Sequence, residues 1–467
     1  MRKTSEISRN LFLHGGVVVR INRREVLKNA GLASGALFVG ACRSGGPSFV
    51  GETVPLLPSP ESAGIEHIVV VTMENRSFDH FLGWLPNADG KQAGLSFVDK
   101  NGVAQPTHSL SGDDTGCPHP SPDHSYDGGR VEYDNGQMDG FLRAGTNDVY
   151  SIGYYGEADI PFYAALGRNY TTCDRYFAAI LGPTFPNRLF LHAAQTDRLD
   201  DSVSFTSLPT IWDRLRAAGV SANYYYSNVP FLALWGTKYL GISKLYEEFL
   251  AAAASGTLPA VSFVDPKYTI LDDGTGNDDH PHADIREGDK FLYQTFQAVA
   301  NGPKWANTVL IVNFDEWGGF FEHVAPPRVT AANQVDTDIV NGKTLLGLRV
   351  PTVIASPFTK GNPSSPQVND LVFDHTSVLK LIEWRWALAP LTPRDASNDI
   401  NNLAYAMNLG QPDAVVPTLP APQAPLLAAP CLQNLFGGLR TGSSPATEWQ
   451  QLSHLAASAG YLVKDIT

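Results

Sequence analysis

The fold class this sequence predicts is a three-layer α/β/α sandwich, with helices on both faces of a largely parallel β-sheet. Three observations point there. Short apolar, β-branched runs recur at His67 to Thr72, Ala260 to Val264, Val309 to Phe314 and Val350 to Ala355; a strand with one wet face would alternate with polar residues instead. Stretches with apolar residues at helical spacing lie between and after these runs. The chain of 467 residues is 43% hydrophobic, enough to bury one large core. No internal repeat and no second large domain breaks it.

Taken in order, the first 42 residues read as an address rather than as structure. Asn22-Arg23-Arg24-Glu25-Val26-Leu27-Lys28 resembles a twin-arginine export motif. The Gly- and Ala-rich stretch behind it, Ala30 to Ala41, is too short and weakly apolar to span a bilayer. Val39-Gly40-Ala41-Cys42 resembles a lipoprotein cleavage box, the alternative being a small-residue signal-peptidase site beside an incidental cysteine. A lipidated Cys42 would attach the mature chain to a membrane. The implied partner is the twin-arginine export machinery, and the implied location is the periplasm, the cell envelope or the medium. Residues 43–60 read as a Gly/Ser/Pro linker, 61–408 as the main domain and 409–467 as a Pro/Ala-rich extension ending in a helix near Pro445 to Leu462.

Within the main domain, helices are expected at Leu208 to Ala218, Lys244 to Ala254, Gly288 to Ala300 and Thr376 to Leu388, the last capped by Asp374. Residues 87–150 interrupt the rhythm with many Gly, Asp, Asn, Pro and His. A stretch of that length inside a domain reads as a functional lid. The formal net charge of −13, with no basic stripe, argues against a nucleic-acid partner, because a phosphate backbone would be repelled. The four cysteines, Cys42, Cys117, Cys173 and Cys431, show no metal-ligand spacing. A Cys117–Cys173 bridge and buried free thiols both remain open.

Chemistry concentrates where apolar runs end. Ile68 to Thr72 leads into Glu74-Asn75, and Val309 to Phe314 leads into Asp315-Glu316. Two strands delivering hard oxygen ligands to one sheet edge suggest a divalent-cation site. Crowded carboxylates repel unless a cation neutralises them. Thr184, in Gly182-Pro183-Thr184-Phe185-Pro186-Asn187-Arg188, precedes an expected helix. Its plain reading is an N-cap. Its chemical reading is a nucleophile at a helix start, where free N–H groups attract phosphate.

Three motifs in one order carry a resemblance: Glu74-Asn75-Arg76-Ser77-Phe78-Asp79-His80, Gly182-Pro183-Thr184-x-Pro186-Asn187-Arg188, and Asp315-Glu316-x-Gly318-Gly319-Phe320-Phe321-Glu322-His323-Val324-x-Pro326-Pro327. Asn135 to Phe141, Val261 to Pro266 and Asp374 to Ser377 add to it. Together they look like the bacterial phosphoesterase family of phosphatidylcholine-type phospholipases C and related acid phosphatases, similar in fold to the alkaline phosphatase superfamily. The resemblance implies that Glu74, Asn75, Asp315, Glu316 and Thr184 hold one divalent metal ion. Oxygen ligation favours Ca²⁺, Mg²⁺ or Mn²⁺, with Zn²⁺ or iron as the alternatives. It implies that Thr184 is the nucleophile, that the reaction passes through a phosphothreonine, and that His280, His323 and the lid's His124 serve the phosphoryl group.

The implied substrate is a phospholipid or a small phosphoester. Thr184 rather than Ser leans toward phospholipase C over acid phosphatase. A silent surface-binding lipoprotein is the reading of another class, and no Cys-x-Pro-x-Arg motif supports a sulfatase. Two departures stand out. Leu388 lies too near the end of the chain for the C-terminal β domains of larger phospholipases, and Glu322 stands where Asp is frequent. His80, His192 and His375 are expected to be structural, Asp79 a helix cap, Arg188 an ion-pair residue, and Trp84 and Trp317 packing residues.

Overall fold

The computed structural model describes residues 56–270, 274–423, 431 and 445–464. The twin-arginine segment, Cys42 and most of the linker lie outside the described residues. None of the described helices is long and apolar enough to cross a membrane.

Eight strands form the main sheet: β1 (His67–Met73), β2 (Thr171–Cys173), β3 (Ala222–Tyr226), β4 (Ser243–Leu245), β5 (Val261–Val264), β6 (Thr308–Phe314), β7 (Thr352–Ala355) and β8 (Val368–Asn369). Their spatial order is β8-β2-β7-β6-β1-β5-β3-β4. Only β7 runs against its neighbours, β6 and β2. The four predicted strands are β1, β5, β6 and β7. The first three sit side by side at the centre and run parallel.

Every residue of β1, β5 and β6 is buried, as strands covered on both faces must be. Each Val or Ile so buried contributes roughly 1.5–3 kcal/mol relative to exposure. The outer strands were illegible in the sequence: β2, β4 and β8 are two or three residues long, and β3 reads Ala-Asn-Tyr-Tyr-Tyr.

The helices used below are α1 (Phe78–Leu82), α2 (Tyr126–Tyr133), α3 (Pro161–Asn169), α4 (Thr184–Ala193), α5 (Ile211–Ala217), α6 (Tyr246–Ser255), α7 (Ile285–Ala300), α8 (His375–Arg385) and α9 (Pro445–Ser458). Helices α3, α6 and α7 pack among themselves, and α4, α5 and α8 form a second group, as covers on two sheet faces do. Asp374 caps α8 as expected: its carboxylate accepts the Thr376 N–H, and Ser377 Oγ accepts the Asp374 N–H at 3.1 Å. The cap of α1 is Ser77 rather than Asp79; Ser77 Oγ accepts the His80 N–H.

Residues 87–150 are better built than a bare loop. They hold a hairpin, Ser96–Val98 with Ala104–Pro106, and the helix α2. Phe97, Met138, Phe141 and Leu142 share a small core with Trp317 and Phe321. Their apolar residues are scattered through polar sequence, which hid this core from any periodicity. Trp317 is a packing residue there, its indole N–H donating to Glu132.

The cysteine pairing differs from the Cys117–Cys173 alternative. Cys117 is bridged to Cys431, 314 residues away, and Cys173 is a buried free thiol on β2. Partners so distant in sequence are brought together only by the folded chain.

Candidate active site

Parallel pairing decides where the acids meet. Met73 on β1 faces Phe314 on β6, and Val71 faces Val264 on β5. The residues just beyond are therefore Glu74-Asn75, Asp315-Glu316 and Asp265, at the C-terminal ends of three adjacent strands, where open α/β sheets place their sites. Asn75 takes a left-handed backbone (φ 59°), and its N–H donates to Asp315 Oδ1 at 3.2 Å. The Glu316 N–H donates to the same oxygen at 2.7 Å.

Thr184 arrives from α4. It is the first helical residue, and Pro183 occupies the cap position, so the N-cap reading fails. Its hydroxyl instead donates to Asn75 Oδ1 at 3.4 Å. Asn187 fixes the preceding loop: Oδ1 accepts the Ile180 N–H, and Nδ2 donates to the carbonyls of Ile180, Gly182 and Pro183.

One turn beyond Thr184, Arg188 ties all three strand ends together. Nε donates to Asp315 Oδ2 at 2.9 Å, Nη1 to Asp265 Oδ1 at 3.1 Å and to the Tyr268 hydroxyl at 2.6 Å, and Nη2 lies 3.4 Å from Glu74 Oε1. Arg188 is thus the ion-pair residue expected.

Negative charge exceeds that single guanidinium. Burial holds the Glu74 carboxyl well above the usual range, Arg188 offsetting only part of it. Burial pushes Asp315 up to about 6 despite Arg188, and burial with the Asp315 charge raises Glu316 strongly. Both oxygens of Glu74 and Oε1 of Glu316 are buried without a hydrogen-bond partner. Surplus carboxylate charge, orphaned oxygens, an amide oxygen and a hydroxyl fit a hard divalent cation.

Two of the three proposed histidines join this set. His124, from the 87–150 segment, places Nε2 3.2 Å from Asn75 Nδ2 and 3.9 Å from Glu316 Oε1, while Nδ1 lies 2.8 Å from the Pro122 carbonyl. His280 lies with its ring centroid 6.0 Å from that of His124, and neither of its buried nitrogens has a hydrogen-bond partner. Burial, then His124 and His282, hold its pKa well below the ordinary histidine value.

His323 is not brought to this set. Its Nδ1 lies 2.5 Å from Asp79 Oδ2 and its Nε2 3.1 Å from Asp89 Oδ1. Asp79, Glu322 and His323 cluster closely enough to suggest a cation site. Arg349 already supplies the positive charge, with Nη2 2.6 Å from Glu322 Oε1 and 3.3 Å from Asp79 Oδ1. Glu322, the departure from Asp noted above, reaches that arginine.

The histidines set aside as structural are so. His80 stacks on Phe320 at 3.8 Å, and His192 lies among Trp212, Phe231 and Phe263. His375 Nε2 sits 2.6 Å from the Asp315 carbonyl oxygen and steadies that strand end.

Three site residues escaped sequence reasoning. Asp201 accepts the N–H of Phe185, the residue after Thr184, at 2.6 Å, from a surface-like Leu-Asp-Asp-Ser stretch that carries no signal. Tyr268 presents a ring 4.8 Å from the Arg188 guanidinium carbon. Trp449, on α9, stacks on Tyr268 at 3.6 Å. Asp265, which follows β5, and Arg188 were each visible in a family motif, but their pairing was not.

Comparisons with known proteins give the family. The Phosphoesterase family model matches residues 65–389. Non-specific phospholipase C6 of Arabidopsis thaliana is 30% identical over 372 residues, covering 71% of this chain and 70% of that protein. Phospholipase C A of Mycobacterium tuberculosis is 29% identical over 468 residues, covering 83% and 86%. Among solved structures, a protein in the alkaline phosphatase superfamily from Vibrio parahaemolyticus aligns at TM-score 0.34 and 12% identity over 71% of this chain and 69% of that one, a likeness too distant to add to the sheet order described above. With its motifs assembled at the ends of three parallel strands, the chain belongs to the Phosphoesterase family and is a hydrolase acting on phosphoric ester bonds.

Proposed function

We propose that the chain is an exported, metal-dependent phosphodiesterase of phospholipase C type, cleaving a phospholipid or related diester to a phosphorylated headgroup and an alcohol. One observation carries the reading: the Thr184 hydroxyl, at a helix start, points to Asn75 beside orphaned Glu74 and Glu316 oxygens. Glu74, Asn75, Thr184, Asp315 and Glu316 would hold one Ca²⁺, Mg²⁺ or Mn²⁺ ion. When bound, it supplies charge that favours the ionised hydroxyl and offsets negative charge on the phosphoryl oxygens.

The chain's own groups do the rest. Asn187 and Arg188 fix Thr184 against the strand ends, so attack on phosphorus needs little rearrangement. As Thr184 Oγ bonds to phosphorus, its proton passes to a histidine, which delivers it to the leaving alcohol as that bond breaks. His124, beside Asn75, and its neighbour His280 are the candidates for that role. Water then attacks the phosphothreonine, the histidine takes its proton and returns it to Thr184 Oγ as the bond to phosphorus breaks, and the phosphorylated headgroup leaves. Burial of the whole set excludes bulk water, so His124 and the lid must move for substrate to enter. Export through the segment Asn22 to Lys28 and attachment through Cys42 belong to the same proposal.

Thr184→Ala should lower turnover of p-nitrophenyl phosphorylcholine to background with the melting temperature unchanged, and Thr184→Ser should retain turnover. Unaltered activity in the Ala variant would remove Thr184 from its role. Preference for p-nitrophenyl phosphate over the diester would move the assignment to a monoesterase of acid phosphatase type.

A further inference from the structure

We infer that the Cys117–Cys431 disulfide is a redox-controlled clamp that positions the two histidine-bearing loops, so that full turnover requires the bridge. The inference rests on the phosphoesterase reading above and concerns the regulation of that same site. Cys117 lies in the lid loop that ends at His124, seven residues on. Cys431, itself buried, sets its sulfur 3.9 Å from the carbonyl oxygen of His282, two residues after His280. The bridge therefore ties the His124 loop covalently to Cys431, which packs against the His280 loop at His282 and Gly274.

The same seam is closed by three further contacts. His282 Nε2 lies 2.8 Å from the His119 carbonyl oxygen. The Ile285 N–H donates to the Asp114 carbonyl at 3.0 Å, and Arg286 Nη1 lies 2.9 Å from Asp114 Oδ2. None of these contacts touches Thr184 or the strand ends. They hold two loops that are otherwise poor in regular structure: neither 113–125 nor 274–284 contains a helix or strand. Segments of that kind open locally at low cost. Opening the bridge would release the His124 loop from Cys431 and leave non-covalent contacts such as these to hold it to the His280 loop.

The chemistry is thiol–disulfide exchange with a dithiol. A thiolate attacks the partly exposed Cys117 sulfur, displacing the Cys431 thiolate and forming a mixed disulfide. The second thiolate of the reagent then releases Cys117. The protein gains two electrons and two protons as two thiols, and the dithiol becomes a cyclic disulfide. In a reducing compartment the loops would stay unclamped; in an oxidising one the bridge forms.

The test uses the full chain, oxidised or treated with dithiothreitol, with thiol titration to report the bridge and Cys173→Ser to remove the buried free thiol from the count. Reduction is expected to lower kcat for p-nitrophenyl phosphorylcholine at least tenfold with KM changed less than twofold, and reoxidation to restore it. Cys117→Ser and Cys431→Ser should each show the low rate and no response to reductant. Hydrogen exchange over seconds to minutes should quicken in 113–124 and 278–285 and stay unchanged in β1 and β6. Turnover within twofold after the bridge is opened would overturn the proposal, as would faster exchange throughout the sheet, which marks a general staple. Should the oxidised protein hydrolyse no phosphoester, the functional reading fails, and loop exchange alone decides whether the clamp exists.

Discussion

At the scale of single residues, Arg188 shows how one side chain can set a site. It compensates Asp315 and Asp265 directly and Glu74 at 3.4 Å, on the helix that carries Thr184. Removing the charge would leave buried carboxylates facing one another. Arg188→Gln is therefore expected to cost about 3–5 kcal/mol in chemical denaturation, and a variant within 1 kcal/mol of the parent would contradict this picture. His323 makes a separate prediction. Burial acts to lower its pKa, but the hydrogen bond and charge of Asp79 outweigh it, and the net shift is upward. A cationic histidine with a raised folded pKa adds stability that is complete below the ordinary value of about 6.5. That stability is lost as pH rises through the folded value. The melting temperature should accordingly fall across that window in the parent, and His323→Gln should flatten that part of the profile.

Among the elements, the C-terminal helix α9 contributes more than its place in the sequence suggests. Trp449 is 1% exposed, stacks on Tyr268 and lies 5.1 Å from Phe185, the residue after Thr184. Trp449→Ala should cost about 3–5 kcal/mol through lost packing, read as a lower denaturation midpoint. Because Tyr268 places its ring beneath Arg188, the same change should loosen the helix that carries Thr184 and lower kcat. The sequence marked α9 as a helix and nothing more, since stacking on a residue far away in the chain leaves no periodic trace. Strand ends behaved in the opposite way. Glu74-Asn75 and Asp315-Glu316 were readable as neighbours because parallel buried strands place their C-terminal residues along one edge. What those residues do there is the proposal above.

For the whole molecule, the surplus of buried carboxylate predicts linkage between folding and cation binding. A divalent ion at 100 times its dissociation constant should stabilise the chain by about 2.7 kcal/mol. The melting temperature should rise with added Mn²⁺, Ca²⁺ or Mg²⁺ and fall back with a chelator. Glu74→Gln combined with Glu316→Gln should abolish the shift, and an unchanged shift in that variant would place the ion elsewhere.

Local chemistry alone determined the central sheet and the motifs at its edge. β-branched runs buried on both faces can be little else than inner strands, and the acids that end them cannot be buried without a counter-charge. Tertiary structure decided what depends on distant partners. It drew Arg188 to three strand ends, held His323 beside Asp79 and Arg349, joined Cys117 to Cys431 and laid Trp449 against Phe185 on α4. Each of those choices is fixed by which groups the folded core leaves facing one another, a property of the assembled molecule that no stretch of sequence contains.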